Sequence, residues 1–188
     1  MKILVLDNYD SFTYNLVHII RESGYALDIY RNDKINIEDV KQYDKILLSP
    51  GPGIPDEAGI MKQVVSTYGA SKSILGICLG HQGIAEVYGG KLFNIPTVLH
   101  GVTSTVEVKD SGDYLFKNVP NEFQATHYHS WAVLSEGFPA EMKITAVNSD
   151  GLIMGLSHTR NDVKGLQFHP ESIMTLSGPA IIKNWLKN

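Results

Sequence analysis

Five residues, Gly76-Ile77-Cys78-Leu79-Gly80, leave almost no chain between a run with strand character and a run with helical period. Ser73–Ile77 is short and apolar, as a buried strand is. From His81 the period changes: Ile84, Ala85 and Tyr88 fall at helical spacing, and Gly89-Gly90 supplies a stop. A strand-to-helix corner this tight crowds its neighbours, so the positions two before and two after its apex must be small. Gly76 and Gly80 meet that need, and the pattern is the Gly-x-nucleophile-x-Gly elbow with cysteine at the apex. Such a corner also puts Cys78 at a helix N-terminus, where unpaired N–H groups and the dipole favour a thiolate. The same residue, the only cysteine of the chain, also reads as a small buried thiol in a core strand. A base and an anion hole elsewhere in the chain would decide between the two.

The rest of the chain fixes the fold class around that corner. Lys2–Asp7 reads as a first strand, and in the loop Asn8-Tyr9-Asp10-Ser11 either Asp10 or Ser11 can cap a helix with the apolar face Phe12, Leu16, Ile19 and Ile20. Gly24 ends that helix, Ala26–Tyr30 reads as a second strand, and Ile37–Val40 as one helical turn. Lys45–Leu48 is a third strand, continuous and apolar, as expected when both faces are covered. The proline- and glycine-rich segment Ser49–Pro55 follows, then a helix carrying Ile60, Met61, Val64, Val65 and Tyr68, then the elbow. This β-α-β-α-β-α-β rhythm with short connections predicts an α/β fold: an open, mostly parallel twisted sheet with helices on both faces. After residue 91, Val102–Val108, Glu122–Val133, Met142–Val147, Leu152–Ser157 and Val163–Phe168 are strand-like with little helix between them. They predict an antiparallel extension, with the last strand returning to the main sheet. Ser177 is placed to cap a final helix bearing Pro179, Ile181, Ile182, Trp185 and Leu186. With no repeat or linker, residues 1–188 read as one domain.

Charge and cysteine usage exclude several classes. The net charge is −4 and no Lys/Arg cluster stands out, which argues against nucleic acid as a partner. No apolar run reaches bilayer length, so no membrane partner is expected. Met1–Leu6 goes straight into a strand-like run, unlike a secretory signal. One cysteine permits no internal disulfide, and a cytoplasmic location fits.

Sites in open α/β sheets form beyond the carboxyl ends of the strands. Four loops fall there: Asn8–Ser11, Ser49–Pro55, Cys78–Gln82 and His169-Pro170-Glu171. A thiol nucleophile needs a base, and the base needs an orienting partner. His169 is the best of seven histidines, because Glu171, two positions on, leaves an extended segment on the same side. The plainer alternative is a surface loop with a solvated glutamate. His81 lies in the first helical turn and is expected to point away. For an oxyanion, the N–H of Leu79 is the usual first donor of an elbow, and Gly51 or Gly53 can bring a second. His127 and His129 share one strand face and, with His100, suggest zinc. The blander reading, a half-exposed polar strand edge, is preferred because no Cys or acidic residue stands at ligand spacing.

Taken together, Asp7-Asn8-Tyr9-Asp10-Ser11-Phe12-Thr13-Tyr14-Asn15-Leu16, Ser49-Pro50-Gly51-Pro52-Gly53, Gly76-Ile77-Cys78-Leu79-Gly80-His81-Gln82 and Phe168-His169-Pro170-Glu171-Ser172 resemble the motifs of class I glutamine amidotransferases. The narrower resemblance is to the small subunits of anthranilate synthase and of aminodeoxychorismate (4-aminobenzoate) synthesis. It runs from Met1 to the final helix, and the opening stretch sets the chain apart from the amidotransferase domains of GMP synthetase and carbamoyl phosphate synthetase. The resemblance implies a flavodoxin-like sheet and a triad of Cys78, His169 and Glu171 that hydrolyses L-glutamine through a glutamyl thioester. It implies an oxyanion hole from Gly51 and Leu79, and glutamine held by Gly51, Pro52, Gly53, Gln82, Ser130 and Trp131. It implies no metal or other cofactor in this subunit, and a separate chorismate-using synthase large subunit that receives the ammonia, for tryptophan or alternatively folate synthesis. Two positions depart from the family pattern: Val102 where His-Gly-Lys is usual, and Trp131 where leucine is common. The residues alone leave open a stand-alone cysteine hydrolase, or a binding module holding a phosphate at Ser11 and Thr13. The loop there lacks the glycines that gather several N–H groups.

Overall fold

The first strand, β1 (Ile3–Asp7), is buried at every position because helices cover both of its faces. The computed structural model describes residues 1–188. Alternation along β1 sends Ile3 and Val5 to one side and Leu4 and Leu6 to the other. The next parallel strands do the same. Leu47, Leu75 and Ile77 join Ile3, while Ile46, Leu48 and Ile74 join Leu4. On the Ile3 side lie α1 (Thr13–Glu22) and a last helix, Gly178–Lys187, through Leu16, Val17, Ile20, Ile181, Ile182 and Trp185. On the Leu4 side lie α2 (Met61–Tyr68) and α3 (Leu79–Val87), through Met61, Val64, Val65, Ile84 and Ala85. Each of the larger aliphatic side chains contributes roughly 1.5–3 kcal/mol by leaving water. The last helix is α4.

The strands β2 (Leu27–Arg31), β3 (Lys45–Leu48), β4 (Ser73–Ile77), β5 (Leu92–Val108), β6 (Glu122–Val133), β7 (Met142–Asn148), β8 (Ile153–His158) and β9 (Val163–Leu166) complete one sheet. Its order is β2-β1-β3-β4-β9-β8-β7-β5-β6. Neighbours are parallel from β2 to β9 and antiparallel from β9 to β6. This is the expected open sheet with its antiparallel extension, and the last strand does return beside the elbow strand. No helix is long and apolar enough to cross a membrane.

Several sequence expectations are corrected. The strand placed at Val102–Val108 begins ten residues earlier, at Leu92. Pro96 and Gly101, which suggested a break, are absorbed where the register with β6 shifts, between Asn94 and Leu99 and between His100 and Val102. Gly101 takes φ +67° there. The β9 ladder stops at Leu166 and not at Phe168, because its neighbour β4 has already turned into the elbow. Helix α3 starts at Leu79 rather than His81, since Cys78 alone makes the turn. Neither Ser11 nor Ser177 caps a helix through its side chain; Phe12 and Ser177 occupy the N-cap positions. Asp10 accepts the N–H of Phe12 at 2.7 Å, which turns the chain into α1. Phe12 itself is outside the helix and 37% exposed.

Candidate active site

The carboxyl ends of β1, β3, β4 and β9 lie side by side, so the four loops come to one edge. At the centre, Cys78 adopts φ +51°, ψ −98°, a conformation that a non-glycine residue holds only when its surroundings enforce it. The glycines on either side make this possible. A Cβ at Gly76 would stand 2.4 Å from the Gly80 carbonyl, and one at Gly80 would stand 2.5 Å from the Leu48 carbonyl oxygen. The Cys78 N–H donates to Leu166 O at 2.8 Å and its carbonyl accepts from Gln82 N at 3.0 Å, so the apex is tied to both β9 and α3.

Beyond β9 the chain bends at Gln167 and Phe168 and crosses to β6, where the His169 N–H donates to Thr126 O at 3.0 Å. His169 is buried, and its Nδ1 meets Glu171 Oε1 at 2.6 Å. A carboxylate can only accept, so Nδ1 carries the hydrogen and Nε2 is left as the basic nitrogen. Nε2 has no partner of ordinary hydrogen-bond geometry. The Cys78 thiol is nonetheless close enough to act on the ring. Burial works to lower the pKa of His169, but Cys78 and Glu171 outweigh it and hold the imidazole well above its usual range. The rings of Tyr128 and Phe12 stand edge-on to His169, with centroids at 5.1 and 6.1 Å, and keep water from it.

A cavity of about 140 Å³ opens on Cys78 and is lined by Gly51, Pro52, Gly53, Gln82, Tyr128, His129, Ser130 and Trp131. Every glutamine-holding position implied by the resemblance is on this wall. Neither the Gly51 N–H nor the Leu79 N–H makes a hydrogen bond within the chain, so both are free to serve an oxyanion. They are neighbours: a Cβ at Gly51 would lie 2.7 Å from Leu79 Cδ2 and 2.6 Å from Asn8 O. Asn8 holds the loop in place. Its N–H donates to Ser49 Oγ at 2.8 Å and its Nδ2 to Ser49 O at 2.7 Å, while Asn32 Nδ2 donates to Asn8 Oδ1 at 3.0 Å. A larger cavity, about 410 Å³, lies across Pro52–Gly53 between Asn8, Asn32 and Glu57, but it reaches neither Cys78 nor a histidine.

The histidine pair does lie on an edge strand of the sheet, β6, but it is not half-exposed. His127 and His129 are buried; His127 Nε2 pairs with Ser104 Oγ at 2.8 Å and His129 Nδ1 donates to Trp131 O at 2.9 Å. Burial drives both down to about 4, which keeps them neutral. His100 stands against Tyr128, whose side chain leaves the strand on the opposite face, so the three imidazoles do not converge. His81 does turn from Cys78; it is buried over Gly165, where a Cβ would lie 2.9 Å from its Nδ1. Sequence reasoning missed Gln167, whose Nε2 donates to Cys78 Sγ at 3.6 Å. The period of two, counted back from His169, was the signal that could have found it.

The Glutamine amidotransferase class-I family profile matches residues 4–188. A relative named anthranilate synthase component 2, from Pyropia yezoensis, is 43% identical over 188 residues and covers 98% of each chain. One of the same name from Mycobacterium tuberculosis is 42% identical over 191 residues, covering 99% of this chain and 82% of the relative. Among solved structures, a Thermoplasma acidophilum protein named for GMP synthase has a TM-score of 0.89 at 28% identity, over 100% of this chain and 92% of that one. The fold therefore does not separate the two kinds of chain that the opening stretch set apart.

Proposed function

This chain belongs to the class I glutamine amidotransferases, and from that premise we propose that it is the glutaminase subunit of an anthranilate synthase. In this reading it hydrolyses L-glutamine and passes the ammonia to a chorismate-using large subunit. The observation that carries the reading is the cavity that opens on Cys78 between Gly51–Gly53, Gln82, Ser130 and Trp131, with the His169–Glu171 pair on the chain that runs past the Cys78 apex.

The chemistry follows from the groups present. The Cys78 thiolate attacks the side-chain carbonyl carbon of glutamine, and the S–C bond forms as the carbonyl electron pair moves to oxygen. The N–H groups of Gly51 and Leu79 receive that oxyanion. As it collapses, the C–N bond breaks and His169 Nε2 delivers a proton to the leaving nitrogen, which departs as ammonia. His169, neutral again, takes a proton from water, which attacks the thioester, and glutamate leaves with the thiolate restored. Glu171 keeps the ring in one tautomer and stabilises the imidazolium form.

The relatives' name, anthranilate synthase component 2, favours the anthranilate reading over the folate one. A place for the large subunit is suggested by Ile173, Met174 and Leu176, which follow Glu171 directly and are 89%, 55% and 87% exposed. The test is the variant Cys78→Ala assayed with the large subunit. Glutamine-dependent product should vanish while product from added ammonium salt persists. Glutamine-dependent product surviving in the variant defeats the assignment, and turnover of peptides with no response to a synthase would favour a stand-alone hydrolase.

A further inference from the structure

The chain beyond β9 runs beside the elbow apex, since the Cys78 N–H is bonded to Leu166 O at 2.8 Å. It bends at Gln167 and Phe168, and the bend sends Gln167 to the Cys78 sulfur and Phe168 to the other side. Phe168 enters the core. Gln167 is fully buried too, yet its side chain is polar and every part of it is engaged. Its Nε2 donates to Cys78 Sγ at 3.6 Å, and its Oε1 accepts from Gln82 Nε2 at 3.2 Å. Gln82 Nε2 in turn donates to Trp131 O at 2.9 Å. One segment thus brings two groups to one sulfur. The imidazole exchanges protons; the amide cannot, and its N–H can only donate, which suits S⁻ better than S–H.

We propose that Gln167 is a further catalytic residue: its amide holds the Cys78 sulfur as the attacking thiolate, and the links through Gln82 to Trp131 fix that sulfur relative to the wall of the glutamine pocket. The covalent steps are those given above, and for the substrate the proposal rests on the glutaminase reading. As the charge passes from sulfur to the substrate oxygen, the amide loosens its hold, and it takes up the thiolate again when glutamate leaves.

Cys78 is the only cysteine, so iodoacetamide labels it alone. In the full chain near neutral pH, labelling should slow about tenfold in Gln167→Met, the effect of one hydrogen bond to a charged group. It should slow further in Gln167→Glu, which sets a carboxylate against the sulfur. The deficit should narrow as pH rises and the sulfur loses its proton in variant and parent alike; a merely structural fault would persist. With glutamine and the large subunit present, kcat should fall by a similar factor and KM by less. Labelling at the parent rate near neutral pH in a folded variant overturns the proposal. If neither variant folds, the ¹⁵N-labelled parent decides: the Gln167 side-chain amide resonance should move over the pH interval in which labelling accelerates, and a resonance that stays still overturns the proposal. Labelling consumes no glutamine, so slowed labelling in a chain that hydrolyses no glutamine sinks the glutaminase reading and leaves the amide–sulfur contact supported.

Discussion

Thr126 on β6 and His169 beyond β9 are joined backbone to backbone, His169 N–H to Thr126 O at 3.0 Å, so the antiparallel extension holds the histidine that serves the parallel sheet. Thr126 is held in turn: its own N–H donates to Thr175 Oγ1 at 3.0 Å, and Thr175 is fully buried. Thr175→Val keeps the shape and leaves that N–H without a partner. It should cost about 1–3 kcal/mol in urea unfolding, the usual toll of an orphaned buried donor. Glutaminase kcat should drop with it, because the segment bearing His169 loses an anchor.

Gly51 and Gly80 should separate activity from stability. A Cβ at Gly80 meets the Leu48 carbonyl at 2.5 Å inside the packed layer between α3 and β3, where nothing can move aside. Gly80→Ala should cost roughly 2–4 kcal/mol and lower Tm. At Gly51 the clash is with Asn8 O and Leu79 Cδ2, at the sheet edge rather than between packed layers, and it displaces the Ser49–Pro55 loop from its tie to Asn8. Gly51→Ala should stay folded and lose about 10²–10³-fold in kcat, the usual effect of displacing one oxyanion donor.

The legible parts of this molecule are those whose neighbours in space are also neighbours in pattern. The observed limits of Lys45–Leu48, Ser73–Ile77 and Glu122–Val133 are those the sequence implies, because buried strands write themselves as apolar runs or alternations. The elbow is legible because its crowding selects glycine at Gly76 and Gly80. The early half of β5 is not, since two register shifts break the period of two and hide a strand behind Pro96 and Gly101. Nor is the burial of His127 and His129, which depends on distant β5 and on the loops over it. Tyr128 and Phe12, which shield His169, come from two separate segments, and no spacing links them.

Glu171→Gln tests the charge on the triad rather than its shape. The carboxylate and Cys78 together hold His169 protonated to higher pH than burial alone would allow. Without the negative charge the imidazolium is lost sooner as pH rises, so the alkaline limb of the kcat profile should move to lower pH. Near neutral pH the rate should fall about 10²-fold, within the range a positioned general acid supplies. A profile of unchanged shape would mean that Glu171 acts only as a spacer.

The exposed apolar run after Glu171 gives a test of the assembly. Ile173→Asp and Leu176→Asp place charges on side chains that touch little of their own chain. Each should leave Tm and iodoacetamide labelling of Cys78 near the parent values. Each should weaken co-elution with the synthase partner about tenfold or more, as a buried charge in an apolar contact does. Undiminished co-elution would move the partner to another face.

Acid should unfold this chain through histidines rather than through its carboxylates alone. Burial holds the folded pKa of His81 at about 3 and those of His127 and His129 at about 4. In the unfolded chain each returns to about 6.5. Between about pH 6.5 and 4 the unfolded state therefore binds protons that the folded state refuses, and stability falls as pH falls. Each histidine contributes a slope of up to about 1.4 kcal/mol per pH unit, so the three together approach about 4. His169 does not offset this: its folded pKa is raised, so its contribution is already complete below about 6.5 and is lost only as pH rises through the higher folded value. Urea midpoints measured from pH 7 to 4 should drop steeply in the parent. In His127→Gln, whose amide can still reach Ser104 Oγ but cannot titrate, the slope should ease by about a third of the three-histidine total. A parallel decline in parent and variant would place the acid sensitivity elsewhere.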